Sequence, residues 1–195
     1  MHKVEIAETL DILQYEKQRQ AYRKSIIELK KRRRIAVGPS VTFVFENRAT
    51  VLSQVQEMMR AERIVELDAL QHELDTYNEL LPGVDQLAAT MFIELEQSVD
   101  IREQISRFHG VNTDSVTYFE IDGEQAPGIF ASGQSDESRI SAVQYVKFQL
   151  SPQQRESFLG STQEVWLVID HSNYSHRAQP TTEVREELKR DLQAA

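Results

Sequence analysis

A chain of 195 residues with a formal charge of −9 and no cysteine is long enough to bury a substantial core. It carries too little positive charge for general affinity to phosphate backbones, and the lack of thiols excludes disulfides, thiolate nucleophiles, cysteine-ligated zinc and self-ligated iron–sulfur clusters. The 40% apolar and 27% charged content is that of a globular domain, no run of about 18 apolar residues is present to span a membrane, and the first residues, MHKVEIAETL, lack the apolar core of a secretory signal, so a cytoplasmic location is expected.

Thr9 is placed to cap a first turn, and Leu10, Leu13, Tyr22, Ile26 and Leu29 form an apolar stripe at helical spacing. The intervening QYEKQRQAYRKS is too polar to be buried all round, which puts this long helix on a surface. It ends in Lys30, Lys31, Arg32, Arg33 and Arg34. Positive charge there complements the helix dipole; a patch for RNA, a nucleotide or another anion is the sharper reading, with the acidic total against it. Residues 35–37, Gly38-Pro39 and residues 41–46 read as a hairpin. Val41, Phe43 and Phe45 point one way and Thr42, Val44 and Glu46 the other, so Glu46 leaves the strand on the less apolar face.

A helix follows, with Val51, Val55 and Met58 in line and Leu52 and Met59 widening the stripe. Glu62 falls on the same line and is expected to be partly buried, with Arg48, Arg60 and Arg63 as the nearest cations to pair it. A second helix carries Leu67, Leu70, Leu74, Tyr77 and Leu81, flanked by Gln71 and Asn78 and stopped by Pro82-Gly83. Two readings stand side by side. One is a solvated helix pair whose Arg and Glu residues pair at helical spacing; the other is a polar pocket between strand and helix lined by Glu46, Gln54, Glu57, Arg60 and Glu62.

Residues 87–95 read as a strand, 100–108 as a short helix closed by Gly110, and 116–121 as a strand entering an Asp122-Gly123 turn. Pro127-Gly128 marks the returning strand as an edge, and residues 133–139 (GQSDESR) as a polar loop. Residues 142–150 form a strand, Ser151-Pro152 starts a helix through Phe158 that Gly160 ends, and residues 164–169 (EVWLVI) form the most apolar strand. Asp170, His171, Asn173, Tyr174 and His176 follow in a loop before a charged helix over 182–192. Helices first and strands after give an α+β class: a long N-terminal helix and a helical hairpin packed on a mostly antiparallel sheet, with a C-terminal helix. The chain reads as a single domain with a helical part, 1–83, and a sheet-rich part, 84–195.

No nucleotide-binding, serine-hydrolase or HExxH motif is present. His72, beside Gln71 and Glu73, turns away from the Leu/Tyr stripe and reads as a surface histidine. Asp170 and His171, with Tyr174 and His176 nearby, stand at the end of an apolar strand, where a scaffold can fix them while a loop stays open; the plainer reading is a side-chain-bonded turn of Asp170 and Asn173.

KKRRRIAVGPSVTFVFENRATVLSQVQEMMRAERI, QHELDTYNELLPG, ATMFIE, SAVQYVKFQL and VIDHSNY, in colinear order over nearly the whole chain, resemble the bacterial domain-of-unknown-function family thirty-five-oh-one. The resemblance implies an unassigned activity and genes often found beside those for a rubrerythrin and an iron–sulfur oxidoreductase. Position by position it touches Glu46, Gln54, Glu57, Arg60, Glu62, Arg63, Glu73, Tyr77, Asn78, Asp170, His171 and Tyr174. Three functions are expected in this order: an accessory or interaction protein of a peroxide- or electron-transfer system, with rubrerythrin or the oxidoreductase as partner; a metal or small-molecule site on Glu46, Glu57 and Glu62, with carboxylate and imidazole ligands suited to iron, manganese or zinc; and nucleic-acid or nucleotide binding through Lys30, Lys31, Arg32, Arg33 and Arg34.

Overall fold

A computed structural model describes residues 1–95, 100–113, 115–133, 140–160 and 164–194. The expected loop at 133–139 lies, apart from Gly133, outside the described residues. A 3-10 turn, Ile6–Glu8, precedes α1 (Ile12–Lys31). Thr9 closes the 3-10 turn, and Asp11 caps α1, its carboxylate accepting the Gln14 N–H at 2.8 Å. Of the expected stripe, Ile26 is buried and Leu10, Tyr22 and Leu29 are half-buried, but Leu13 is 76% exposed and Tyr15 faces inward in its place.

β1 (Arg34–Val37) and β2 (Val41–Phe45) form the expected antiparallel hairpin. α2 (Arg48–Glu62) begins at once. Asn47 accepts the Thr50 N–H while the Thr50 hydroxyl accepts the Asn47 N–H, a reciprocal cap that fixes the strand-to-helix corner. α3 (Leu67–Asn78) turns back on it. Val51, Val55 and Met59 from α2 meet Leu70, Leu74 and Leu81, and Val4 from the N-terminal segment completes this smaller core. Asn78 holds that segment as a third strand would, accepting from Val4 N at 2.8 Å and donating to Val4 O at 2.9 Å. Leu67, expected in the stripe, is 67% exposed.

The remaining strands are β3 (Gln86–Ile93), β4 (Thr117–Ile121), β5 (Glu124–Phe130), β6 (Val143–Gln149), β7 (Val165–His171) and β8 (Tyr174–Ala178), with α4 (Ile101–Ser106), α5 (Pro152–Leu159) and α6 (Thr182–Ala194) between and after them. All pairings are antiparallel, in the order β1-β2-β3-β6-β5-β4-β7-β8. The two end strands come together, so the expected antiparallel sheet curls into a nearly closed eight-stranded barrel, a closure the sequence reading did not include. β1 and β2 therefore belong to the barrel although they lie in the helical part of the sequence.

Two expectations are corrected by the pairing. Pro127-Gly128 does not make β5 an edge: its first half pairs with β4, with Pro127 opposite Tyr118, and its second half pairs with β6, with Gly128 opposite Phe148. The strand changes partners at the residue that lacks an N–H, and a Cβ on Gly128 would stand 2.9 Å from the Thr117 carbonyl. Asp170 to His176 is not a loop either, but the end of β7 and the start of β8, with His171 opposite Tyr174. The Asp122-Gly123 turn has φ of 53° and 79°, the two positive values that a tight hairpin needs.

Inside the barrel, Val41, Phe43, Phe45, Met91, Phe119, Phe148 and Leu167 form the main core, closed by Phe158 of α5 and by Val184, Leu188 and Leu192 of α6. β2 is buried on both faces, Thr42 and Val44 on one side as well as Val41, Phe43 and Phe45 on the other.

Candidate functional site at the mouth of the barrel

The expected polar pocket on α2 divides into two unconnected clusters. Glu46 is 3% exposed and accepts from the hydroxyls of Thr90, at 2.6 Å, and Thr50, and from the Gln54 amide at 3.3 Å. Those neutral donors answer both oxygens, so Glu46 ties β2, β3 and α2 together. Glu57 faces the other way, toward α1, where the Arg19 guanidinium grips it at 2.8 and 2.9 Å and the Tyr15 hydroxyl donates at 2.7 Å. Arg60 lies between Glu57 and Glu16, 3.8 Å from each. Glu62 is exposed at the helix end, Arg63 caps that end in the left-handed region at φ 55°, and Arg48 reaches Glu8 instead. The wheel placed Glu62 on the apolar line, but α2 ends there before the line meets the core. No three His, Asp or Glu side chains are grouped to hold a metal ion among the described residues.

Arg19 and Tyr15 hold the Glu57 carboxyl below its ordinary range, against a smaller upward push from burial. A carboxyl depressed in the folded state adds stability above its unfolded pKa and loses it as pH falls through the folded value. Because the group is part-exposed, its share is about 1 kcal/mol or less. Glu57→Gln is therefore expected to cost that amount at neutral pH and nothing once the carboxyl is protonated in the folded protein as well, checked by urea titrations at neutral and at acid pH. An equal loss at both would assign the effect to packing.

Further along, Tyr77 is half-buried, its hydroxyl pushed up by burial and then by Glu73. His72 is exposed, as expected. In the basic run Arg33 is fully buried and bound to Asp191, Arg32 pairs with Glu187 and Lys31 with Glu28. A free five-residue cationic patch does not exist.

The second expected cluster also diverges. Asp170 is exposed on one side of β7. His171, 8% exposed, points the other way: its Nε2 meets the His109 carbonyl at 2.7 Å and its Nδ1 accepts the Asn173 N–H at 3.3 Å. Both ring nitrogens are thus used, Nε2 to hold the segment after α4 and Nδ1 to close the β7–β8 turn. Tyr174 reaches across the closing seam of the barrel. Its hydroxyl donates to the Val37 carbonyl at 2.6 Å and accepts the Ser40 N–H at 2.9 Å, and burial keeps it above its ordinary pKa. It remains a donor throughout the physiological range.

Beside Tyr174 opens a cleft of about 400 Å³. Pro39 and Ser40 from the β1–β2 turn and Glu94 and Leu95 after β3 form one wall; Gln104, Arg107 and Phe108 from α4 and Asn173, Tyr174 and His176 from the β7–β8 hairpin form the other. The Phe108 and Tyr174 rings lie 5.0 Å apart, and Tyr174 and His176 meet edge to face at 4.5 Å. An acid (Glu94), a guanidinium and an imidazole thus border an aromatic floor. Of these residues the sequence pointed to Tyr174 and, beside it, His176; Glu94, Gln104 and Arg107 carry no local motif, and four separate segments bring them together.

The crystal structure of a novel protein of unknown function from Burkholderia pseudomallei K96243 superimposes on this fold with a TM-score of 0.89 at 27% identity, covering 98% of this chain and all of the other. No curated protein matches the chain. The model of the family described as protein of unknown function DUF3501 matches residues 3–192, and the protein belongs to that family.

Proposed function

We propose that the protein binds a small polar metabolite at the barrel mouth, and that this ligand carries both an acidic and a basic group, as an amino acid does. The observation that carries the reading is the cleft itself. Its volume suits a small metabolite, and Glu94 offers a carboxylate to an ammonium while Arg107 and His176 offer donors to a carboxylate. Arg107 is engaged with Glu103 at 3.1 Å, an exposed pair at i, i+4 spacing that is weak enough to yield to a ligand. The floor is rigid, because Tyr174 is bonded to both sides of the β1–β2 turn. A pre-formed floor lowers the ordering cost of binding.

Ligand-observed NMR with the twenty amino acids and the short dicarboxylic acids tests this. At least one member is expected to show saturation transfer from the wild-type protein, and Glu94→Gln or His176→Ala is expected to weaken it about tenfold, the loss of one charge-assisted contact. Silence across the panel, or binding indifferent to both substitutions, would remove the reading.

A further inference from the structure

We infer that the protein associates with a second copy of itself through the outer face of α1, which docks on the outer face of α3 of the other copy. The charge of this chain is segregated along its length. Residues 12–34 hold nine Lys and Arg against two Glu, whereas residues 64–101 hold nine Asp and Glu and no Lys or Arg. Such blocks repel within themselves and attract each other across an interface.

The fold turns this segregation into two matching helix faces. On α1, Glu16, Arg19, Gln20, Arg23, Lys24 and Ile27 line one open groove, at spacings of three and four residues. On α3, Asp68, Gln71, His72, Asp75 and Glu79 are exposed at the same spacing. Each stripe spans twelve positions, about 16 Å of helix. α2 packs against both helices, so α1 and α3 bury their inner sides on it; Arg19 at the edge of the basic stripe is held by Glu57 and Arg23 comes within 4.0 Å of that carboxylate, while Gln20, Lys24 and Ile27 stay open. Lys17 and Lys24 are exposed and hold no ion pair among the described residues.

Charge alone would give a weak and unspecific contact, but both faces also carry apolar residues that nothing covers. Leu13 is 76% and Ile27 51% exposed beside the basic stripe, and Val65 is 74% and Leu67 67% exposed at the start of the acidic one. Apolar anchors flanked by complementary charge are the make-up of a helix-on-helix interface. Because every copy carries both faces, the contact can be made twice about a two-fold axis. The occupant is a second copy and not a polyanion, since Leu13 and Ile27 would find no apolar partner on a phosphate backbone.

Sedimentation velocity over a concentration series tests the proposal. A dimer is expected at about 0.05 M salt, with its dissociation constant raised tenfold or more at about 0.5 M, where charges beyond a few ångströms are screened. Arg23→Glu with Lys24→Glu is expected to leave a folded monomer, as is Asp68→Lys with Asp75→Lys, each verified by an unchanged melting profile. An equimolar mixture of these two variants should dimerise again, because every contact in the mixed pair joins opposite charges. A wild type that stays monomeric at every concentration would overturn the inference, and so would a dimer indifferent to salt and to both reversals.

Discussion

Asp191→Ala is expected to destabilise the protein by about 3–5 kcal/mol, the cost of stranding a buried charge. The charge is that of Arg33, which has no exposed surface. Its Nε donates to the Phe45 carbonyl at 2.8 Å and its Nη2 to the Glu46 carbonyl at 3.2 Å, while both terminal nitrogens engage the Asp191 carboxylate. Glu187 stands 3.6 Å away but is shared with Arg32 and Arg190. The guanidinium thus joins the end of α1, the end of β2 and the C-terminal helix at one point. Removing the carboxylate leaves two backbone carbonyls and a divided Glu187 to hold a full charge out of water. Arg33→Met combined with Asp191→Leu is expected to recover most of the loss, because apolar groups of similar size replace a buried pair at little net cost. Urea unfolding of the wild type and of the single and double variants measures this, and a single-variant loss below about 1 kcal/mol would mean that the guanidinium finds other acceptors.

The same residue shows what the sequence could and could not say. Arg33 stood in a run of five cations, and nothing local separates the member that turns into the core from its neighbours, because its partner lies 158 residues away. Local signals were otherwise informative. Helical spacing marked α2 and α3, alternation marked β2 and β6, and Asp122-Gly123 marked its hairpin, since each depends on residues within one turn or one strand. The barrel was not legible, because closure depends on β1 meeting β8, and a Pro-Gly pair looks like an edge until the strand is seen to exchange partners there. Reading β8 as a loop has a similar cause. Tyr174, Ser175, His176 and Arg177 form a strand because β7 templates them, not because their own pattern is apolar.

For the candidate site the limit was convergence. The strand-to-helix corner at Glu46 drew attention through its ionisable residues, yet Thr50, Thr90 and Gln54 use that carboxylate for architecture. The cleft at the barrel mouth is built from ordinary residues of four segments, of which only the one holding Asn173, Tyr174 and His176 stood out in the sequence. A carboxylate that looks chemical along a sequence is often a tie in space, and a site needs open volume that no sequence pattern displays.

Gly38→Ala is expected to cost about 2–4 kcal/mol, the sum of a left-handed backbone penalty and overpacking. Gly38 opens the β1–β2 turn with φ of 71°, and a Cβ there would stand 2.6 Å from the His176 ring and from the Tyr174 hydroxyl. That hydroxyl closes the barrel by bonding Val37 on one side of the glycine and Ser40 on the other. An added methyl must therefore push the phenol off both partners or drive the turn away from β8. Gly123 supplies the control: its φ is 79°, and nothing lies within 4 Å of a Cβ placed on it. Gly123→Ala is accordingly expected to cost only the backbone part, about 1 kcal/mol. The difference between the two variants in thermal or urea unfolding isolates the close packing of Gly38 against Tyr174 and His176. The same displacement would tilt both rings into the cleft, so Gly38→Ala should also weaken any ligand bound there, whereas Gly123→Ala should not. Equal losses at the two glycines would show that the turn moves aside freely, and the barrel mouth would then be too pliant to hold the rigid floor on which the binding proposal depends.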